Sequence, residues 1–125
     1  MPIPSWKSGL QEIAENVFAY VHSGVGWDIC NSGFIVEEDG VMVIDAMMVA
    51  SLVDPYIKEI RKVTDKPIRY VVNTHHHVDH SFGNQFYLPT EVVSHRGCRE
   101  AMLTRGANLN MLSERWPQYR EDWVK

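Results

Sequence analysis

The sequence predicts an α/β chain of the α+β type, a mixed sheet with helices on one face, and three observations predict it. Two short apolar runs, one through Gly33 to Val36 and one from Val41 to Ile44, flank Asp39-Gly40, the signal of an antiparallel hairpin. Residues 51 to 64 place Leu52, Val53, Tyr56, Ile57, Ile60 and Val63 at helical spacing, with Asp54, Lys58, Glu59, Arg61 and Lys62 on the other face. A third apolar run, Ile68 to Val72, comes after Asp65-Lys66-Pro67. Strand, helix and strand in that order suit a parallel pair joined by a crossover, so parallel and antiparallel neighbours share one sheet.

The elements follow in order. Asn16 to His22 mixes β-branched and aromatic residues before Ser23-Gly24 and reads as a first strand leading into a Gly-rich loop through Trp27. His22 on this strand is expected to be a satisfied structural histidine rather than a ligand. In the hairpin, Asp39 and Gly40 are residues that accept the positive φ of a tight turn. Asp45 closes the second hairpin strand, either as a plain strand-terminating residue or as a carboxylate that holds a neighbouring loop by hydrogen bonds. In the helix, Ser51 with Asp54 offers a capping pair, and Pro55 is tolerable within the first turn. Beyond the third run, Glu91 to His95 reads as a short strand, and Arg96 to Thr104 as a helix with Cys98, Met102 and Leu103 on one side. The tail from Asn108 carries Leu109, Met111, Leu112, Trp116, Tyr119 and Trp123, with little chain left for them to pack against.

Chemistry concentrates after the third run, in Asn73-Thr74-His75-His76-His77-Val78-Asp79-His80. Four of the six histidines fall in these eight residues. Imidazole and carboxylate cost free energy to bury without partners, so such a cluster makes sense as metal ligands. In an extended segment His75, His77 and Asp79 point one way and His76 and Val78 the other, while a turn after Asp79 brings His80 round. A helical reading pairs His76 with His80, as in the H-E-x-x-H zinc proteases, but puts His77 where the glutamate base belongs and follows a strand.

His75-x-His77-x-Asp79-His80 after a strand resembles the H-x-H-x-D-H signature of the metallo-β-lactamase superfamily, over about residues 17 to 105. The resemblance implies that this chain is the N-terminal half of the superfamily's αβ/βα sandwich. His75 and His77 would bind one zinc, and Asp79 and His80 a second. A metal-bound hydroxide would then attack an ester, thioester, lactone or amide, with Asp79 as the catalytic residue that orients it and carries its proton. Phe82 to Phe86 resembles the turn leading away from the metal loop, and Asp45 the carboxylate that supports that loop from behind. Ala46-Met47-Met48 departs from the family, which has a small residue and a Gly there.

The superfamily's further ligands lie downstream. They are histidines and a bridging Asp, and here the one His and the one Asp after the motif are His95 and Asp122, of which His95 sits on a strand that contributes no ligand in the family. The 125 residues are therefore expected to form one partial domain, spanning 1–125. The implied partner is a small-molecule substrate, with association through an uncovered sheet face. The alternative is a non-catalytic metal-binding half-domain that acts only with a partner chain.

Composition narrows the classes. A formal charge of -4, a pI near 5.8 and the lack of any Lys/Arg run argue against nucleic acid as partner. No stretch approaches the roughly 20 apolar residues of a membrane span, and the first ten residues lack a signal-peptide core, so a cytoplasmic protein is expected. Cys30 and Cys98 are far apart, which makes them buried free thiols rather than a disulfide framework.

Overall fold

Phe18, Phe34, Val43, Val71 and Val92 stand side by side across five neighbouring strands, and this register organises the fold. The chain is described by a computed structural model over residues 7–22, 29–106 and 108–124, without the side chain of Val124. Six strands lie in sequence order: β1 (Gly9–Ala14), β2 (Val17–Val21), β3 (Ser32–Val36), β4 (Val41–Ile44), β5 (Ile68–Asn73) and β6 (Glu91–Ser94). The pairs from β1 to β4 are antiparallel, and β4–β5 and β5–β6 are parallel. This is the mixed sheet that the sequence predicts.

Between β4 and β5 runs α1 (Ala50–Val63), whose Val53, Tyr56 and Ile60 are fully buried against Phe34, Val41, Val43 and Val71. Phe18 and Phe34 stack with ring centroids 4.6 Å apart, and Phe34 meets Tyr56 edge on. The Tyr56 hydroxyl donates to the Gly33 carbonyl over 2.7 Å, and burial holds the phenol well above its usual pKa. Gly33 is needed for space, since a Cβ there would lie 2.8 Å from the Phe18 carbonyl oxygen. Tyr56→Phe leaves that carbonyl without its side-chain donor and is expected to cost about 1 kcal/mol, read from urea denaturation.

Local expectations are corrected at several points. The hairpin between β1 and β2 is not legible in Gly9–Ala14, whose Glu12, Ile13 and Ala14 are exposed, so no buried alternation marks it. Its turn uses Asn16 at φ 61°, a left-handed conformation that Asn tolerates. Neither Asp39 nor Gly40 has a positive φ. The connection spans four residues, with Glu37 N–H donating to the Gly40 carbonyl, and a loop of that length needs no mirror-image turn. Gly40 instead makes room for the Arg69 side chain, which a Cβ would meet at 2.6 Å.

Ser51 does not cap α1. The helix begins one residue earlier, after Val49 and without a side-chain cap, so Pro55 lies past the first turn and removes one helical hydrogen bond. Ser51 donates to Asp122 over 2.7 Å. That bond ties down the tail, which does find a surface: α4 (Leu109–Arg115) and two short 3-10 turns bring Leu112, Trp116 and Trp123 onto Met48 and Val49 as a second core. In α3 (Arg96–Arg105) Cys98 is buried but Leu103 is exposed, against expectation. Cys30 and Cys98 are both free and buried.

The opposite sheet face carries Ile35, Met42, Ile44, Tyr70 and Val72 in register, and none of them belongs to either core. The loop from Ser23 through Trp27 and the start of the N-terminus lie outside the described residues. Among the described residues no helix is long and apolar enough to cross a membrane.

Candidate functional site

The motif leaves the C-terminal end of β5, between two parallel neighbours, where loops converge. Extended geometry persists only as far as His77, which is the N-cap of α2 (Val78–Ser81) with φ -59° and ψ 147°. Asp79 and His80 therefore sit on a helical turn, and strand alternation does not place them. The convergence is reached by that turn instead. The His75 ring centroid lies 4.7 Å from that of His77 and 4.1 Å from that of His80, and His80 Nε2 lies 3.2 Å from Asp79 Oδ2. His76 stands off this group: its Nε2 faces Arg105 Nη1 at 3.4 Å, although its ring also touches that of His77.

Asp45 anchors the cluster. Its buried carboxylate accepts from the Thr74 N–H at 2.8 Å and from the Thr74 hydroxyl at 2.8 Å, and lies 2.8 Å from His80 Nδ1. An ionised carboxylate only accepts, so His80 Nδ1 carries a proton towards Asp45, and in the neutral ring Nε2 holds the lone pair. The same logic reaches His75. Thr74 gives its single hydroxyl proton to Asp45 and can only accept from His75 Nδ1, 3.0 Å away, which leaves the lone pair on His75 Nε2. One carboxylate thus sets the tautomers of two imidazoles.

A second layer of contacts fixes the loop against β4. Ala46 N–H donates to the His80 carbonyl and Gly83 N–H to the Met47 carbonyl, both over 2.8 Å. Asn73 and Asn84 exchange side-chain hydrogen bonds of 3.0 and 2.7 Å. Met47 is buried at φ 60°, so this loop carries backbone strain of about 1 kcal/mol to bury a large side chain. The 3-10 turn Phe82–Tyr87 then leads away, as expected.

The donor set has the chemistry of a divalent transition-metal site, with imidazole nitrogens and a carboxylate backed by a carboxylate–histidine hydrogen bond. The His80 Nε2 lone pair faces an Asp79 oxygen, two acceptors whose contact is favourable only with a cation or a proton between them. The rings nonetheless pack on one another rather than around a point. Among the described residues no group of three or more His, Cys, Asp or Glu side chains is arranged to hold a metal ion. Partial burial, then the neighbouring His80 and His77, hold the His75 pKa below its usual 6.5. Its ring stays neutral, and its lone pair available, to lower pH than a free imidazole.

The remaining titratable candidates are accounted for elsewhere. His95 Nδ1 accepts from the Gly97 N–H and caps α3, and Asp122 accepts from Ser51, so neither joins the cluster. His22 is not the satisfied histidine expected: its Nε2 is buried without a hydrogen-bond partner among the described residues, and burial lowers its pKa. What the sequence missed is the wall opposite the motif. Met111, Glu114, Arg115 and Trp116 of the tail face His77, Val78 and Asp79 across a cavity of about 690 Å³. Their only sequence signal was an excess of large apolar residues.

The model of the metallo-β-lactamase superfamily matches residues 25–114. The chain belongs to that superfamily. No curated protein sequence matches it. Among solved structures, it is similar to a stereoselective inverting sec-alkylsulfatase from Pseudomonas sp., with a TM-score of 0.66 and 23% identity over 85% of this chain and 17% of that one. It is also similar to a metallo-β-lactamase from Hirschia baltica, with a TM-score of 0.63 and 18% identity over 80% of this chain and 49% of that one. A Cronobacter sakazakii metallo-β-lactamase with a HARLDQ motif gives 0.58 and 24% over 78% and 38%. The chain thus spans half or less of the length of these three superfamily structures.

Proposed function

We propose that this superfamily chain is the donor-bearing portion of a zinc-dependent hydrolase that acts on an ester, thioester, lactone or amide. What carries the reading is the pair of imidazoles whose Nδ1 atoms are committed to Thr74 and Asp45, leaving two Nε2 lone pairs beside Asp79. His75, His77, Asp79 and His80 would hold the metal, two ions in a complete domain. Bound zinc supplies Lewis acidity and water activated near neutral pH. The protein's own part is positioning: Asp45 fixes ring orientation, and Asp79, at the edge of the cavity, is the group to hold and pass the proton that the leaving group needs.

The sheet face of Ile35, Met42, Ile44, Tyr70 and Val72 favours a second reading for the chain by itself. An apolar face outside both cores would serve a half-domain that binds metal and associates through that face, with catalysis supplied only in the assembly.

The test measures zinc per chain, oligomeric state and hydrolysis of a chromogenic ester. In competition with a chelating dye, His77→Ala is expected to weaken zinc at least tenfold and His76→Ala by less than threefold. Binding should weaken on acidification, because the ligand imidazoles must be neutral, and the His75 contribution should survive to a pH below the ordinary imidazole value of about 6.5, since burial and the neighbouring His80 and His77 hold its pKa down. Equal effects of the two substitutions would remove the metal assignment. Zinc binding by an oligomer without turnover would favour the half-domain.

A further inference from the structure

We propose that the cleft between the motif loop and α3 binds the oxyanion end of an amphipathic small molecule, with Arg105 and His76 as the recognising pair. The cleft encloses about 440 Å³ and adjoins the donor cluster through His77. Val78, Phe82, Met102 and Met111 give it an apolar wall, while Arg105 and His76 stand together at one side. A second hollow on the other side of the same pair is lined by Thr74, His75 and His95. No Asp or Glu lines either space among the described residues, in a chain whose formal charge is -4.

The pairing itself calls for an anion. Arg105 Nη1 is 3.4 Å from His76 Nε2, beyond ordinary hydrogen-bond length, and among the described residues this is the polar contact its side chain makes. The ion pairs between described residues include Lys62–Glu59, Arg69–Asp39 and those of His80 with Asp45 and Asp79, and Arg105 is in none of those. A guanidinium offers five donors in a planar fork that matches a carboxylate, sulfate or phosphate. With one weak contact used, most of that fork faces the cleft or solvent. The site lacks a helix N-terminal character, because Arg105 closes α3, so the side-chain charge is the recognising element. An apolar wall beside a cationic pole selects a molecule with a short hydrocarbon body and one oxyanion, neither a sugar nor a bare ion.

The inference rests on the reading of this region as a small-molecule site, but it does not need the metal. Its test therefore uses protein held in chelator, where turnover cannot contribute. Calorimetric titration with hexyl sulfate, hexanoate and hexanol compares one hydrocarbon body with and without charge, and the two anions separate sulfate from carboxylate preference. The anions are expected to bind at least tenfold tighter than the alcohol. Arg105→Gln should abolish that difference while leaving hexanol unchanged, and Arg105→Lys should retain part of it, since the charge stays and the fork is lost. Arg105 is exposed, so neither variant disturbs the core, and circular dichroism checks this. Anions that bind the wild type no tighter than hexanol would overturn the proposal, as would an undiminished preference in Arg105→Gln. Absence of ester hydrolysis from the zinc-loaded protein, with the anion preference intact, would instead refute the hydrolase reading alone.

Discussion

Asp45→Ala should destabilise the chain by about 1–3 kcal/mol, the cost of leaving buried hydrogen-bond donors without their acceptor. Three donors converge on this buried carboxylate, two from Thr74 and one from His80, and alanine leaves them without their acceptor. Alanine also tolerates φ 60° less well than Asp does. Against a typical total of about 5–15 kcal/mol this is a large fraction, visible as a shifted urea midpoint. The sharper variant is Asp45→Asn, which keeps the shape and accepts the left-handed backbone. Its amide NH₂ would donate to His80 Nδ1 and drive the proton to Nε2, turning that lone pair into an N–H. The variant is expected to remain folded yet lose zinc affinity by at least tenfold. If Asp45→Asn bound zinc like the wild type, Asp45 would be merely a strand terminator.

Gly83→Ala should cost about 3 kcal/mol or more, at the upper end of overpacking. A Cβ at this position would lie 2.1 Å from the Ala46 carbonyl oxygen and 2.8 Å from that of Met47, and both are backbone atoms. Neither can rotate away as a side-chain tip would. The displacement would break the 2.8 Å bond from Gly83 N–H to the Met47 carbonyl, and with it the docking of the motif loop on the β4 exit. Hydrogen exchange of the Gly83 and Ala46 amides reads this directly. Unchanged protection of both in Gly83→Ala would show that the loops are not held by this contact. At Gly106, where a Cβ meets nothing within 4 Å, alanine should be close to neutral.

How far the sequence reached can be seen at particular residues. The helix over 51–64, the strand before the motif and the hairpin through Asp39-Gly40 were legible because burial on one face imposes a period of 3.6 or 2. The β1–β2 hairpin was not, since an edge strand with Glu12, Ile13 and Ala14 exposed has no buried face to enforce alternation. The tail announced itself only as apolar, because its partners, Met48 and Val49, lie some sixty residues earlier, and no local pattern records a partner that distant.

The site divides in the same way. Sequence by itself determined which atoms are available, four histidines and an aspartate after a strand, because ligand chemistry depends on residue type and short spacing. It also determined the family, since the motif and its strand are contiguous in the chain. Tertiary structure alone decided the rest. The turn at His77, not strand alternation, brings His80 to His75, and Asp45 chooses the nitrogen each ring presents. Arg105 meets His76 only because α3 returns along the motif loop. These are long-range contacts through hydrogen bonds and packing, whose geometry depends on how β4, β5 and β6 align, and that alignment is set by the whole sheet rather than by any one stretch of it.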